Sequence, residues 1–301
     1  MMDHVIHLLI LLLLPPLLLG VITKTKAWFA GRRGPSVFQP YYDLLRLWRR
    51  GMVFSTTTTW VFRLGPIVTL AAALLAGLLV PFGGTSAPIR FSGDLILFAY
   101  LFALGRFFTT AAALDTGSAF EGMGSAREVT FACLAEPALF LALMVLARLS
   151  GSLSLGTMLH ATTGGVPAEI VAPLVLVAIG LFIVLLAETC RIPVDDPTTH
   201  LELTMIHEAM VLDHSGPLFG AILYGSAVKL LVLGALLYHV VVPAYFGNAL
   251  DWLVFLAGML GLAVVIGIVE SIMARLPMHK VPVLLVGAVL FCGLGFILMI
   301  R

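Results

Sequence analysis

Eight apolar runs constrain this 301-residue chain more than any other feature. Each is about 20 residues long, and a helix of that length crosses the roughly 30 Å of hydrocarbon in a bilayer. Because 60% of the residues are hydrophobic and 11% are charged, the chain is not a typical soluble protein, in which about 25% are charged. We expect an all-α polytopic membrane protein that forms one membrane domain over residues 1–301. Its helices are predicted near residues 4–22, 59–80, 94–114, 129–149, 171–189, 220–242, 251–270 and 281–300.

The basic residues between the apolar runs predict which side each loop occupies, because cytoplasmic loops carry an excess of Lys and Arg. With the N-terminus outside, three basic residues fall on the outer side, namely Arg90, Arg148 and Arg301. Eleven fall on the inner side, namely Lys24, Lys26, Arg32, Arg33, Arg46, Arg49, Arg50, Arg127, Arg191, Arg275 and Lys280. Both termini are therefore expected outside. Because positive charge follows the first run instead of preceding it, we expect a retained first helix and not a signal peptide.

The sequence offers no site for a metal or a nucleotide. Cys133, Cys190 and Cys292 lie in or beside apolar runs without paired spacing, so they predict neither an iron–sulfur site nor a disulfide framework. We find no phosphate-binding loop or dinucleotide fingerprint. His207-Glu208 begins like a zinc-protease motif, but residue 211 is Val, so the second histidine ligand is missing. We expect this chain to bind no cofactor itself.

Ionisable residues inside the predicted helices are the next signal, since each costs about 2.5–3.5 kcal/mol on insertion scales. Arg106, Glu136 and Lys229 lie eight to nine residues from the inner ends of their helices. At 1.5 Å per residue they share a depth of roughly 12–14 Å. They predict a buried polar layer, which is either a structural ion cluster or part of a proton or ion path.

The inner segments carry two further patterns. From Pro40 onward, apolar and charged residues alternate at helical spacing, which predicts an amphipathic helix in the plane of the membrane interface. The segment from Glu188 to Gly216 holds six of the sixteen acidic residues. Helix start and stop signals predict one helix from Pro197 to Gly216. Histidines at seven-residue intervals would share one face of it and two acids another, namely His200, His207 and His214, and Glu202 and Asp213.

Three separated motifs resemble the heel subunit of respiratory complex I, the subunit 1 or H family. The first runs from Glu188-Thr-Cys-Arg191 through Pro193, Asp195 and Pro197 to Asp213-His-Ser-Gly216. The second comprises Arg32-Arg33-Gly34-Pro35, Gln39-Pro40 and Asp43, and the third runs from Gly124 and Arg127 to Glu136. The resemblance covers most of the chain, including its eight predicted helices.

Departures from the quinone-reducing pattern indicate the branch. Thr198 and His200 stand where that branch has acids, Cys190 replaces its Asn, and the stretch after Glu202 is three residues longer. These features resemble the membrane anchor of group 4 energy-converting [NiFe] hydrogenases, the formate hydrogenlyase subunit 4 and hydrogenase-4 family. The alternative is the quinone-site heel of a complex I-like quinone oxidoreductase. An autonomous transporter is disfavoured, because we see no inverted repeats.

The resemblance implies a non-catalytic subunit in the inner membrane of a prokaryote, with no nucleic-acid partner. Its expected partners are an iron–sulfur small subunit, a [NiFe] large subunit and antiporter-like membrane subunits, with the [NiFe] and iron–sulfur clusters held by those partners. Relay candidates carried over from the family are Glu136, Glu188, Asp195, Glu202 and Asp213, with Arg127 and Arg191 positioning carboxylates. Depth and loop position add Glu121, Glu128, Glu208, Arg106 and Lys229. The docking candidates are Arg32, Arg33, Gly34, Pro35, Gln39, Pro40, Asp43, His200, His207 and His214.

We predict that the chain is purified together with iron–sulfur and [NiFe] subunits and that, once separated from them, it contains no stoichiometric iron or nickel. The reason is the lack of paired cysteine or histidine ligands in its sequence. Elemental analysis by mass spectrometry measures this directly. One equivalent of either metal in the separated chain would contradict the prediction.

Overall fold

The computed structural model describes residues 2–161, 167–195, 206–242 and 250–300. Within these ranges, eight helices are long and apolar enough to cross a membrane, which confirms the predicted number. They are α1 (Met2–Phe29), α3 (Trp60–Leu79), α4 (Asp94–Asp115), α5 (Ala119–Ser150), α7 (Ala168–Glu188), α9 (Gly216–Val241), α10 (Leu250–Ile272) and α11 (Val281–Ile300). The shorter helices are α2 (Gln39–Trp48), α6 (Leu155–His160) and α8 (His207–Met210), and a 3₁₀ turn (Met278–Lys280) precedes α11.

The α5 helix begins at Ala119, ten residues before the predicted start at residue 129. Glu121 and Glu128 therefore lie on a helix and not in an inner loop, which corrects the basis on which they were chosen. Hydropathy misses this polar end because its charges pair inside the protein. Glu121 accepts a hydrogen bond from the main-chain N–H of Asp213, at 3.1 Å, and Glu128 faces Arg106 on α4.

Helix α9 is the centre of the bundle and is the most buried of the eight candidate spans. It packs against α1, α3, α7 and α10. Around it, α3 pairs with α4, α1 with α10, and α11 with both α5 and α7. This arrangement brings α4, α5, α7 and α9 within side-chain reach of one another.

The amphipathic helix expected from Pro40 is α2, which packs on α1 and α9. Leu44 is its buried residue, whereas Tyr42, Leu45 and Arg46 are exposed. Gly20 on α1 allows the chain just before α2 to approach closely, because a methyl group at Gly20 would overlap the carbonyl oxygen of Val37.

The expectation of one helix ending at Gly216 is wrong for the part that the structure describes. Helix α8 has four residues, and the chain from Val211 to Ser215 is not helical. Gly216, with a φ of 57°, starts α9. Residues 196–205, which include His200 and Glu202, lie outside the described ranges. The predicted repeat of histidines on one face therefore does not hold for His207 and His214.

Pro66 on α3 explains where the His214 side chain goes. Because proline has no N–H, the carbonyl of Phe62 lacks its usual helical donor four residues later. The Nε2 atom of His214 lies 3.3 Å from that carbonyl oxygen and donates to it, while the imidazole stacks on the Phe62 ring at 3.9 Å between centroids. Burial lowers the pKa of His214 to about 4, so the ring is neutral near pH 7.

The same replacement of a missing proline N–H by a side-chain donor occurs at Pro16 on α1. Lipid offers no donor to a freed carbonyl, so the partner must come from elsewhere in the protein. Tyr224 Oη donates to the Leu12 carbonyl at 2.8 Å, four residues before Pro16. At the end of α3, His7 Nε2 lies 3.0 Å from the carbonyl oxygen of Gly77, which is in the last turn of the helix, where carbonyls have no helical donor.

We predict that His214→Phe, which keeps the stacking, destabilises the protein by about 1–3 kcal/mol, because a buried carbonyl loses its donor. Pro66→Ala returns the missing N–H to α3, so the same change should cost less in that background. Unfolding of the parent, the two single variants and the double variant in detergent measures the difference. An equal cost in both backgrounds would show that Pro66 is unrelated to the role of His214.

The same variant tests the sign of a pH effect. Because the pKa of His214 is lowered from 6.5 to about 4, the folded state binds fewer protons than the unfolded state between these values. Its contribution to stability is full above pH 6.5 and is lost as the pH falls toward 4. His214→Phe should reduce this loss.

Candidate functional site

A buried cluster of charges joins four helices. Arg106 on α4 donates from Nη1 to Glu136 Oε1 on α5, and its Nη2 atom lies 2.6 Å from Glu188 Oε1 at the end of α7. Lys229 on α9 places its Nζ atom 2.6 Å from the other oxygen of Glu188. The structure thus brings together the three residues that share a predicted depth, with Glu188 between the two cations. We call these residues, together with Glu128, the central cluster.

Glu128 is the weakly paired acid of the central cluster, with Oε1 3.9 Å from Arg106 Nε. Three carboxylates therefore face two cations, so the fully ionised cluster carries one excess negative charge. Charges in a low-dielectric interior are stable only when they are paired. Binding one proton neutralises the cluster, and any movement that changes the pairing of a carboxylate changes its proton affinity.

The central cluster opens to the surface of the chain at one end. The Glu136 side chain is 41% exposed and lines a groove of about 420 Å³ between α4 and α5. Tyr100, Leu139 and Phe140 provide apolar walls. An exposed ion pair in hydrocarbon is costly. The groove is therefore the place where Glu136 can exchange a proton or contact a group outside the chain.

Two smaller cavities lie on other sides of the cluster. One, of about 70 Å³, is bounded by Glu128, Glu188, Lys229 and His207 together with the hydroxyl groups of Thr69, Thr109 and Ser226. It has room for at least one water molecule and several polar partners for it. The other, of about 10 Å³, separates Asp195 from Glu128 and Glu188.

A second set of ion pairs, which we call the loop clamp, ties down the loop ends. Glu270 on α10 has a fully buried side chain, with Oε2 2.8 Å from Lys26 Nζ and Oε1 3.3 Å from Arg191 Nη1. Asp195 Oδ1 lies 2.7 Å from Arg275 Nη2.

Asp195 also closes the loop between α7 and α8. Its Oδ2 atom accepts hydrogen bonds from the main-chain N–H groups of Ile206 and His207, both at 3.2 Å. Leu276 donates its N–H to the Pro193 carbonyl at 2.9 Å, which attaches the segment after α10 to the same loop. Asp195 is thus held by several donors in one position.

Sequence reasoning missed Glu270 entirely as a site residue and used Lys26 and Arg275 only for orientation. Arg191 does contact a carboxylate, but the partner is Glu270. A signal was present, since Glu270 is an acid at the end of a predicted span. Its partners could not be inferred, because Lys26 and Arg191 are far from it in sequence.

The remaining relay candidates lie around these clusters. Glu121 is buried and contacts Asp213, whose own side chain is exposed. Glu208 is half-buried on α8. Arg127 donates from Nη2 to the sulfur of Met123 at 3.1 Å, among other interactions.

The docking candidates separate into exposed and buried groups. Arg32, Arg33, Gly34 and Pro35 are exposed in the loop between α1 and α2. Half-buried Gln39 donates its side-chain amide to Asp43 at 3.0 Å, and half-buried Pro40 lies in the first turn of α2. In contrast, His214 is buried under Phe62, and the Nε2 atom of His207 is buried beside the 70 Å³ cavity.

Within the described ranges, no group of three or more His, Cys, Asp or Glu side chains could hold a metal ion. Cys133, Cys190 and Cys292 are free thiols.

Comparison with known proteins shows the family of this chain. A family model described as NADH dehydrogenase matches residues 2–301. The chain belongs to the NADH dehydrogenase family. Within this family it is 35% identical to hydrogenase-4 component C of Escherichia coli K12, covering 80% of this chain and 74% of that protein. It is 33% identical to formate hydrogenlyase subunit 4 of the same organism, covering 97% and 94%.

Relatives named for quinone reduction are also found. NADH-ubiquinone oxidoreductase chain 1 of Podospora anserina is 27% identical, covering 76% of this chain and 65% of that protein. A chain in the structure of the membrane-bound sulfane sulfur reductase, an archaeal respiratory membrane complex, has the same fold, with a TM-score of 0.84 at 21% identity over 99% and 98% of the two chains. The predicted resemblance to the hydrogenase-4 and formate hydrogenlyase anchors, and to the heel of complex I, is confirmed. This member of the family is a multi-pass membrane protein.

We predict that Glu270→Gln destabilises the loop clamp, because it leaves Lys26 and Arg191 without their carboxylate. Removing one partner of a buried pair costs about 3–5 kcal/mol, and partial exposure of Lys26 places the effect at or below the lower end. Unfolding in detergent and limited proteolysis of the loops beside the clamp measure the change. Glu169→Gln, at an exposed acid on α7, is the matched control; equal stability of the two variants would contradict a role for the clamp.

Proposed function

We propose that this chain is the membrane-anchoring, proton-relay subunit of an energy-converting [NiFe] hydrogenase of the formate hydrogenlyase or hydrogenase-4 type. The central cluster carries the proposal, because Arg106 and Lys229 hold carboxylates from α5 and α7 together deep within a membrane protein. The names of its relatives support this assignment.

The chain's own residues do not fit the metal clusters of such a complex. A [4Fe–4S] cluster takes four cysteine thiolates, whereas this chain has three cysteines. Cys133 lies on α5, Cys190 follows α7, and Cys292 lies on α11. We therefore assign the [NiFe] centre and iron–sulfur clusters to partner subunits, and the electron-transfer steps to those partners.

The carboxylates lie one after another from Asp195, in the loop after α7, to Glu136, at the groove between α4 and α5. The 10 Å³ cavity lies between Asp195 and the pair Glu128 and Glu188, and Arg106 contacts both Glu188 and Glu136 at the groove. Carboxylates suit a relay because they bind and release protons when their pairing changes. Asp195, held by Arg275 and two main-chain donors, positions the loop in this scheme, whereas Glu128, Glu188 and Glu136 carry the proton.

Docking of the peripheral redox arm is assigned to the first inner loop. Its exposed aromatic and basic side chains, namely Trp28, Arg32, Arg33, Tyr42, Arg46, Trp48, Arg49 and Arg50, form a surface of one charge sign with large apolar groups. Aromatic residues and Arg are enriched in protein interfaces. The arm would approach from the cytoplasmic side if both termini lie outside, and antiporter-like subunits would lie beside the membrane domain.

The alternative, a quinone-site heel, needs an opening between α1 and the first inner loop. Three contacts close part of this region. The Val37 carbonyl packs against Gly20, the Tyr41 hydroxyl donates to the Leu13 carbonyl, and Leu44 is buried. This close packing favours the hydrogenase anchor over a quinone reductase.

We predict that Glu136→Gln lowers proton-coupled turnover of the intact complex about tenfold or more while assembly is retained, because glutamine keeps the shape but cannot cycle a proton. Hydrogen evolution and proton movement in proteoliposomes, with subunit recovery after purification, are the measurements. The control is Glu169→Gln on the exposed start of α7. Parental activity and proton movement in an assembled Glu136→Gln complex would make Glu136 a structural partner only.

Quinone-site inhibitors separate the two functions. Strong inhibition of the complex, with cross-linking of the inhibitor to residues 24–50, would favour the quinone-site heel.

A further inference from the structure

The position of His207 differs from what its sequence pattern suggests. The residue begins α8, and its main-chain N–H donates to Asp195 Oδ2. Its side chain lines the 70 Å³ cavity next to Glu128, Glu188 and Lys229. The Nε2 atom is buried and has no hydrogen-bond partner among the described residues. A buried imidazole nitrogen without a partner is costly, so a water molecule or a proton in the cavity is its natural partner.

The charges around His207 come from four of the helices that surround the cavity, whereas α3 contributes Thr69 and no charge. Glu128 on α5, Glu188 on α7, Arg106 on α4 and Lys229 on α9 line the cavity with it. Glu208, the next residue on α8, and Asp195 in the preceding loop also act on the ring electrostatically.

Two properties make this imidazole suited to proton exchange. The central cluster carries one excess negative charge when it is ionised, so a proton on a neighbouring group balances it. Burial lowers the pKa of His207, so the ring is neutral near pH 7 and has a free lone pair. The position of the ring relative to the loop is set by the hydrogen bond from the main-chain N–H of His207 to Asp195.

We propose that His207 is the proton-transfer residue at the loop end of the central cluster, exchanging a proton between Nε2 and the Glu128 carboxyl through water in the cavity. In one direction the O–H bond of Glu128 breaks, the water molecule passes a proton on, and an N–H bond forms at Nε2. Glu128 gains a negative charge and His207 a positive charge, so no other reactant is consumed. The proposal rests on the relay function proposed above.

The test uses the intact complex in proteoliposomes and compares His207→Gln with two other variants. His279→Gln changes an exposed histidine in the 3₁₀ turn before α11 and is the matched control. Glu188→Gln tests the relay itself. We expect His207→Gln to slow proton-coupled hydrogen evolution about tenfold or more, while subunit recovery and the His279→Gln complex stay at the parental level.

Chemical rescue distinguishes proton transfer from positioning. Added imidazole and related small bases should restore the rate of His207→Gln in an order that follows their pKa values. We also expect the parent to lose activity at acidic pH, where His207 is protonated before transfer, and the His207→Gln variant to lack this acidic limb. His207→Asn is the second variant if the first does not assemble.

The outcomes distinguish the role of His207 from the relay function itself. A slow Glu188→Gln complex together with a normal His207→Gln complex overturns this inference and leaves the proposed function standing, whereas normal rates in both overturn the relay. A slow His207 variant without rescue and with the parental pH profile makes His207 a positioning residue. Failure of both His207 variants to assemble makes it structural, and either outcome overturns the proposal.

Discussion

The ion pairs of Arg106 with Glu136 and Glu188 are the constraint on which the rest of this membrane domain depends. A charge deep in a bilayer is expensive unless its partner is at hand, so α4, α5 and α7 must stay in register to keep the guanidinium paired. Lys229 adds the central helix α9 to the same group. The packing of the four helices and the charge pairing of the cluster therefore depend on each other. A shift of any of these helices leaves a charge without its partner, and a change of charge alters the packing.

A related constraint acts on the backbone. Prolines interrupt the hydrogen-bond ladder of α1 and α3, and in a membrane the freed carbonyls must find donors inside the protein. Tyr224 and His214 are those donors at Pro16 and Pro66. The two donors come from α9 and from the residues just before it, so the central helix also stabilises the irregular parts of its neighbours.

The loop clamp links these interior features to the loop ends near α1, α7 and α10. Glu270 holds Lys26 and Arg191 together, and Asp195 holds Arg275 and the start of α8. Because His207 follows directly on that attachment and its ring lines the cavity beside Glu128, a movement of the loop changes the position of a group next to the central cluster. In the proposed function, this is the physical route by which a docked protein and the buried carboxylates influence each other.

Local sequence decided the number of spanning helices, the amphipathic α2 and the shared depth of Arg106, Glu136 and Lys229, because hydropathy and helical periodicity depend on near neighbours alone. The family motifs also pointed to Glu188. Only the tertiary structure placed Glu188 between two cations, paired Glu270 with Lys26 and Arg191, and turned His207 and His214 inward. It also extended α5 back to Ala119 and ended α8 at Met210. The physical reason is that a polar or charged side chain in this protein goes where a partner satisfies it, and those partners lie on other helices, far away in the sequence.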